Sequence, residues 1–284
     1  MSTAGIETHR SMVKAWECDS FGHFTVAYYF DRIADASASA REMFAIPQSW
    51  QSTDYLARFV SELRAGEAFH IESGVVALTD AGLRLGHRLI NSATGKACTT
   101  IEEQVQAKAG SAALSAAERA ALETHRISWE SSKQDPGFAD DAADGLIVTA
   151  RDRVRPAELG WAGRLGLAGY VHRSSIGCIQ LLTAMGLSPD YLREFRRGFS
   201  TFEMTLRLEG PEPVAGDALT VISGLMQLGT SSVRMVHRVS DAGSGRRVAT
   251  LRQSGVYFDL EARRSTAVPD DLRAKAASLM LRQR

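Results

Sequence analysis

The chain has 284 residues, 44% of them hydrophobic and 23% charged, with 33 basic side chains against 33 acidic ones. This is the composition of a folded globular chain, and it excludes collagen-like and disordered classes. A formal net charge of zero leaves no broad electrostatic footprint for nucleic acid. Residues 1–10 lack an apolar signal core, and no stretch approaches the roughly 18 apolar residues of a spanning helix, so neither secretion nor a membrane partner is expected. Cys18, Cys98 and Cys178 contain no CxxC pair and could close at most one disulfide, which fits a reduced, cytoplasmic protein.

Taken in chain order, residues 12–18 read as a short strand. Val26, Tyr29, Phe30, Ile33, Ser37, Ala40 and Phe44 then recur every three or four positions, predicting a helix that ends before Pro47. Residues 83–90 alternate apolar and polar as a half-buried antiparallel strand does, and the small polar stretch 91–96 leads into a further strand, as in a hairpin. Residues 109–126 are rich in Ala and Glu and read as a helix. Residues 130–145 carry Ser, Pro, Gly and four aspartates and read as an exposed linker. The series then starts again, with a strand over 153–159 and a helix from Leu167 to about Met185, apolar nearly all round, as suits a helix enclosed by a sheet. Alternating residues 233–240 and a terminal helix from Pro269 complete it.

The recurrence is a true repeat. Residues 73–100 align with 223–250 at a constant offset of 150, with identities at Ser73/Ser223, Gly74/Gly224, Arg84/Arg234, His87/His237, Arg88/Arg238 and Gly95/Gly245. Two copies of one unit are expected: 1–129, a linker over 130–150, and 151–284. His87 and His237 lie at matching places on apolar strand faces, so a shared packing or hydrogen-bonding role is preferred for them. The arginines at 84, 88, 234 and 238 lie on the opposite faces, and Arg193, Arg196 and Arg197 form another basic cluster; either set could be solvated or could meet a diphosphate.

The most distinctive local sequence is Trp16-Glu17-Cys18-Asp19-Ser20-Phe21-Gly22-His23, which runs straight into the first helix. A carboxylate at a helix entrance lies near unpaired backbone N–H groups and the positive end of the helix dipole. Those amides could also stabilise an oxyanion developing on a carbonyl. Asp19 therefore reads either as a helix cap or as a catalytic nucleophile or base. His23 reads as a base, a donor or a structural histidine. Glu103, in phase with Thr99, Ile101 and Val105, points to the apolar side of its strand. Its pKa should be raised unless it is paired, and it is a candidate for a catalytic or orienting role. No HExxH, Cys/His cluster, GxGxxG or Walker loop is present.

On Glu17, Asp19, Gly22 and His23, with the aromatic helix after them, the chain resembles the hotdog-fold acyl-CoA thioesterases of the 4-hydroxybenzoyl-CoA thioesterase type. The resemblance implies an α+β fold: a double hotdog of two tandem units, each with a central helix wrapped by a long antiparallel sheet. It implies a thioester hydrolase whose catalytic carboxylate is Asp19, with His23 beside it. Gly22, Thr25, Val26 and Tyr29 would lie against the substrate, and the amide near Val26 would hold the carbonyl oxygen. No metal or redox cofactor is needed; coenzyme A enters as part of the substrate, and the two units form a pseudo-dimer within one chain that leaves further self-association open. Thr25 stands where such enzymes commonly carry Asn. The same departure, with the Thr/Glu/Gln-rich strand at 99–104, is similar to the betainyl-CoA thioesterases. A hotdog hydratase or dehydratase and a non-catalytic acyl-CoA-binding protein are the rival readings. At an offset of 141, Glu17, Gly22, Tyr29 and Arg32 meet Glu158, Gly163, Tyr170 and Arg173, but Asp19 meets Gly160 and His23 meets Arg164. One catalytic loop per chain is therefore expected.

Overall fold

The computed structural model describes residues 5–79, 82–130 and 145–282. The chain divides into two compact units, Met1–Ser131 and Ser132–Arg284. The first runs β1 (Ile6–Met12), a 3₁₀ turn (Ala15–Glu17), α1 (Val26–Met43), β2 (Trp50–Phe59), β3 (Ala68–Leu78), β4 (Gly82–Asn91), β5 (Ala97–Ala107) and α2 (Ala116–Glu123). Its strands lie in the order β1-β3-β4-β5-β2, every neighbour antiparallel. The second runs β6 (Ile147–Arg153), a 3₁₀ turn (Pro156–Glu158), α3 (Leu167–Ala184), α4 (Pro189–Phe195), β7 (Arg197–Leu208), β8 (Ala218–Leu228), β9 (Ser232–Asp241), β10 (Arg247–Asp259), β11 (Arg264–Ser265) and α5 (Asp270–Ala277). Its order is β6-β8-β9-β10-β7, with β11 on the edge of β10.

Each unit is a central helix wrapped by an antiparallel sheet, the α+β double-hotdog plan. Tyr29, Phe30, Ile33, Ala36, Ser37 and Ala40 are the buried face of α1. Phe30 and Ile33 are fully enclosed, and each such side chain contributes about 1.5–3 kcal/mol through burial. The two sheets repeat even in their irregularities. The β3–β4 register shifts between Val75 and Ala77, and β8–β9 shifts at the equivalent Leu225 and Gln227. Ser73 stands opposite His87 and Ser223 opposite His237. Their hydroxyls meet the ring Nδ1 atoms at 2.7 and 2.8 Å, and Thr8 and Thr149 close onto the serines at 2.6 and 2.7 Å. The paired histidines thus have the shared hydrogen-bonding role the repeat suggested. In the second unit α3 approaches this tie so closely that a Cβ on Gly177 would lie 2.6 Å from both His237 Nδ1 and Ser223 Oγ.

Several boundaries differ from those read in the sequence. The strand expected at 12–18 ends at Met12, because Glu17 reaches back to the Lys14 amide at 2.9 Å and closes a 3₁₀ turn instead. The strand expected at 153–159 lies earlier for the same reason. Pro156, which has no N–H for a ladder, opens the equivalent turn. Residues 147–150 consequently belong to β6 rather than to the linker, while 131–144 lie outside the described residues. The helix expected over 109–126 begins only at Ala116, where Ser115 and Glu118 form a reciprocal cap. The terminal helix covers Asp270–Ala277. α3 is not enclosed all round, since Ile176 and Ile179 are 43% and 58% exposed. The arginines on the outer strand faces are packed rather than solvated: Arg84 pairs with Glu102 at 3.2 Å, and Arg88 lies over Trp129, 4.7 Å from the ring centroid.

Burial holds His237 neutral, pushing it from an ordinary 6.5 down to about 4. Between those values the unfolded chain binds the proton and the folded one does not, so this histidine's contribution is complete above pH 6.5 and lost as pH falls to about 4. Urea midpoints measured from pH 7 to pH 4 should therefore fall less steeply in His237→Gln than in the parent chain. Equal slopes would contradict this.

Candidate functional site

The loop into α1 is built by backbone. The Asp19 amide bonds His23 O at 2.8 Å and the Gly22 amide bonds Asp19 O at 3.0 Å. The Phe24 amide bonds Leu63 O at 2.8 Å and the Thr25 amide bonds Glu17 O at 2.9 Å. Gly22 takes φ 76°, the left-handed conformation the tight turn requires. Beneath it the Glu17 carboxylate, 2% exposed, accepts from the Lys14 amide and from Arg32 Nη2 on α1. Turn and helix are thereby locked together.

The second unit closes the same loop with the same bonds. Gly160 N reaches Arg164 O at 2.8 Å, Gly163 N reaches Gly160 O at 3.0 Å, Leu165 N reaches Pro213 O at 2.8 Å and Gly166 N reaches Glu158 O at 2.9 Å. Gly163 has φ 69°, and Arg173 binds Glu158 at 2.8 Å. This loop therefore folds with Gly160 where the first has Asp19. The carboxylate at 19 is not what shapes the turn.

Asp19 has one engaged oxygen. Its Oδ1 accepts from the amides of Phe21 at 2.8 Å and His23 at 3.0 Å, while Oδ2 faces His23 Nδ1 at 4.0 Å. The Asp19 side chain is 40% exposed and that of His23 19%. On its other side, His23 Nε2 lies 3.1 Å from Glu62 Oε2 and 2.9 Å from Arg64 Nη2. Glu62 and Arg64 come from the corner after β2 and are brought in by the bridge between His23 and Arg64 and by the Phe24–Leu63 bond. Sequence reasoning missed both, because more than forty residues separate them from Asp19. A signal existed: the repeat pairs Arg64 with Val214, beside the identical Ala65-Gly66 and Ala215-Gly216.

Thr25 stands at the N-cap position of α1, but its hydroxyl donates to Glu17 O at 2.6 Å and caps no amide. The Val26 and Ala27 amides precede any i−4 carbonyl of the helix, while the Tyr28 amide turns back to Thr25 O at 2.9 Å. Tyr29 is a core residue, 3% exposed and packed 4.5 Å from Phe24 and 5.4 Å from Phe59 between ring centroids. The helical period turns it into the sheet, away from the loop's open side.

Glu103 lies on the apolar side of β5, as its period indicates. It meets α1 at Ser37 and Arg41, eleven and more residues beyond the helix start, and is fully buried. Ser37 donates at 3.0 Å, Arg41 Nη2 lies at 3.3 Å, His87 Nε2 at 3.1 Å, and Ser52 also donates. Burial alone would raise this carboxyl; the hydrogen bond and charge of His87, with Arg41 and Ser52, outweigh it and hold Glu103 down to about 2. It is a structural charge closing the chain Thr8–Ser73–His87–Glu103. In the second unit Gln253 occupies its place.

Among the described residues no group of three or more His, Cys, Asp or Glu side chains could hold a metal ion, and no helix is long and apolar enough to cross a membrane. A cleft of about 560 Å³ lies in the second unit, between β6, the 3₁₀ turn and α3. It is lined by Arg153, Arg155, His172 and Ile176 around the Arg173–Glu158 pair, and does not include the Asp19 loop.

Residues 154–276 match the model of the thioesterase-like superfamily. No curated protein matches the chain in sequence. Three solved structures share the fold over nearly their whole length. A Lactobacillus plantarum protein provisionally assigned as an oleoyl thioesterase has a TM-score of 0.67 at 13% identity, covering 89% of this chain and 97% of that one. The 12:0-ACP thioesterase from Umbellularia californica has a TM-score of 0.63 at 12% identity, covering 88% and 93%. An acyl-ACP thioesterase from Bacteroides thetaiotaomicron has a TM-score of 0.62 at 11% identity, covering 88% and 96%. The shared fold over nearly the whole chain defines the class as a tandem hotdog protein. The second unit is thus similar to the thioesterase-like superfamily over residues 154–276. The family match falls on the unit with Gly160 and Arg164, so it speaks for the fold family and not for the residues of the Asp19 loop.

Glu103→Leu leaves His87 and Arg41 without their anion and is expected to cost about 3–5 kcal/mol in a urea titration. Glu103→Gln, the second unit's own choice, should cost less. The folded pKa lies below the ordinary 4.5, so this carboxylate's contribution is present above pH 4.5 and lost as pH falls toward about 2. That loss should be reduced in Glu103→Gln.

Proposed function

We propose that this chain hydrolyses an acyl-CoA thioester at the loop 17–26, with Asp19 as general base. One observation carries the reading: the loop folds with the same backbone bonds in the second unit without a carboxylate, so Asp19 is free of the shaping role that Glu17, Gly22 and Arg32 perform. What remains is an acid placed at a helix entrance, beside a histidine and reachable from solvent.

The two oxygens divide the work. Oδ1, tied by two amides, fixes the carboxylate plane; Oδ2 is left to take a proton from water. The water oxygen bonds to the carbonyl carbon, and the charge passing to the carbonyl oxygen is met by the Val26 amide at the start of α1. As the tetrahedral adduct collapses, the C–S bond breaks and the thiolate takes back the proton. The products are a carboxylic acid and a free thiol. His23, on the face of Oδ2, orients and stabilises the anion. Every part is a side chain or amide of the first unit, and the scheme needs no metal or redox cofactor.

Thiol release should be assayed across short polar, aromatic and long-chain acyl-CoAs, and on acyl-ACP. Asp19→Asn is expected to lower kcat by about 10²–10⁴, the usual contribution of a positioned base, with the fold intact. Undiminished release in that variant would sink the assignment. Single turnover in ¹⁸O-water checks the base role: label should appear in the product acid and not in the Asp19 carboxylate, where a nucleophilic mechanism would leave it.

A further inference from the structure

His23 Nε2 has two neighbours that require opposite protonation. Glu62 Oε2, at 3.1 Å, can only accept and needs a proton on that nitrogen. Arg64 Nη2, at 2.9 Å, can only donate and needs the lone pair. One ring nitrogen satisfies one of them, and an imidazolium, with protons on both nitrogens, offers Arg64 nothing. We propose that Arg64 is a positioning residue of this site: by donating to Nε2 it selects the His23 tautomer that carries its proton on Nδ1, the nitrogen facing Asp19. The proposal deepens the hydrolytic reading above and rests on it for its catalytic consequence.

Two observations favour Arg64 over Glu62 as the group that decides. The Arg64 contact is the shorter, and Glu62 lies 4.0 Å from the same guanidinium, so its charge is met without the histidine proton. The second observation is the repeat. The corner that carries Arg64 is built identically in both units. The Arg64 amide bonds Glu67 Oε2 at 2.7 Å and the Val214 amide bonds Asp217 Oδ2 at 2.9 Å. Gly66 and Gly216 follow with φ 88° and 93°. Glu62 also persists, as Glu212. Three residues change together: Asp19 to Gly160, His23 to Arg164 and Arg64 to Val214. Arg64 therefore goes with the acid and the histidine, not with the turn or with Glu62.

The chemical consequence concerns Oδ2 of Asp19. With the proton on Nδ1 the ring presents a donor to the carboxylate, and the present 4.0 Å separation can close to a hydrogen bond when substrate binds. With the proton on Nε2, a lone pair would face the carboxylate and two acceptors would repel. Glu62 favours that second state, and Arg64 opposes it.

The test reads the tautomer directly. Long-range ¹⁵N–¹H spectra of the histidine rings, recorded on the full chain above the imidazole titration, with His23 identified through His23→Gln, should show Nδ1–H at His23. Arg64→Val, the residue the second unit carries at this corner, should switch it to Nε2–H. The same variant should lose about tenfold or more in kcat with a smaller change in KM, below the roughly 10⁴ that a wrong tautomer costs where His and Asp bond directly. Arg64→Lys, which keeps a donor, should restore both. An Nε2–H tautomer in the parent chain, or no switch in Arg64→Val, would overturn the proposal. Unchanged kcat in a variant that has switched would overturn its catalytic half. Full activity in Asp19→Asn, with the tautomer still answering to Arg64, would instead defeat the hydrolytic reading and leave the control of His23 standing.

Discussion

Glu17 and Glu158 are the fixed points from which both units are built. Each is a carboxylate drawn into the protein by an arginine one helical stretch later, Arg32 or Arg173, and each accepts the amide that closes its 3₁₀ turn. A partly or wholly buried carboxylate is costly unless paired, and removing either partner leaves the other charge uncompensated. The pair therefore fixes where the chain stops being strand and where the helix begins. Everything distal, including the left-handed glycine and the open first turn of α1, inherits its position from that anchor.

Because the anchor is duplicated, the loop above it can vary without unfolding. The first unit uses this freedom to carry Asp19 and His23, and the second fills the same backbone with Gly160 and Arg164. Side chains placed on a turn that closes by main-chain bonds need not contribute to its stability. The same separation appears at the neighbouring corner, where Glu67 and Asp217 cap equivalent amides whether the capped residue is Arg64 or Val214.

The buried polar chains show the opposite behaviour. Ser73–His87 and Ser223–His237 are kept in both units because each ties facing strands inside the core, where unpaired polar groups are costly. Their far ends differ. Glu103 brings a charge that His87, Arg41 and two serines must neutralise, while Gln253 leaves His237 neutral and pushed down by burial. The carboxylate on an apolar strand face that the sequence singled out is paired on every side. Those partners come from α1, β2 and β4, and no local pattern announces that they converge.

The duplication, the two central helices, the alternating strands and the absence of the acid from the second loop are all written in the 284 residues. They depend on local period and on identity at a fixed offset, and both are properties of the chain itself. The ends of β1 and β6 were not legible, because a 3₁₀ turn closed by a returning glutamate looks like strand until its hydrogen bonds are known. Nor was the neighbourhood of His23. Glu62 and Arg64 reach it through a bridge across more than forty residues, and only folding brings them there. The buried side of Glu103's strand was legible from its period, but not its partners, which come from α1, β2 and β4. The length that first posed a choice between one domain and two encodes the repeat; the asymmetry of its chemistry is completed by tertiary contacts.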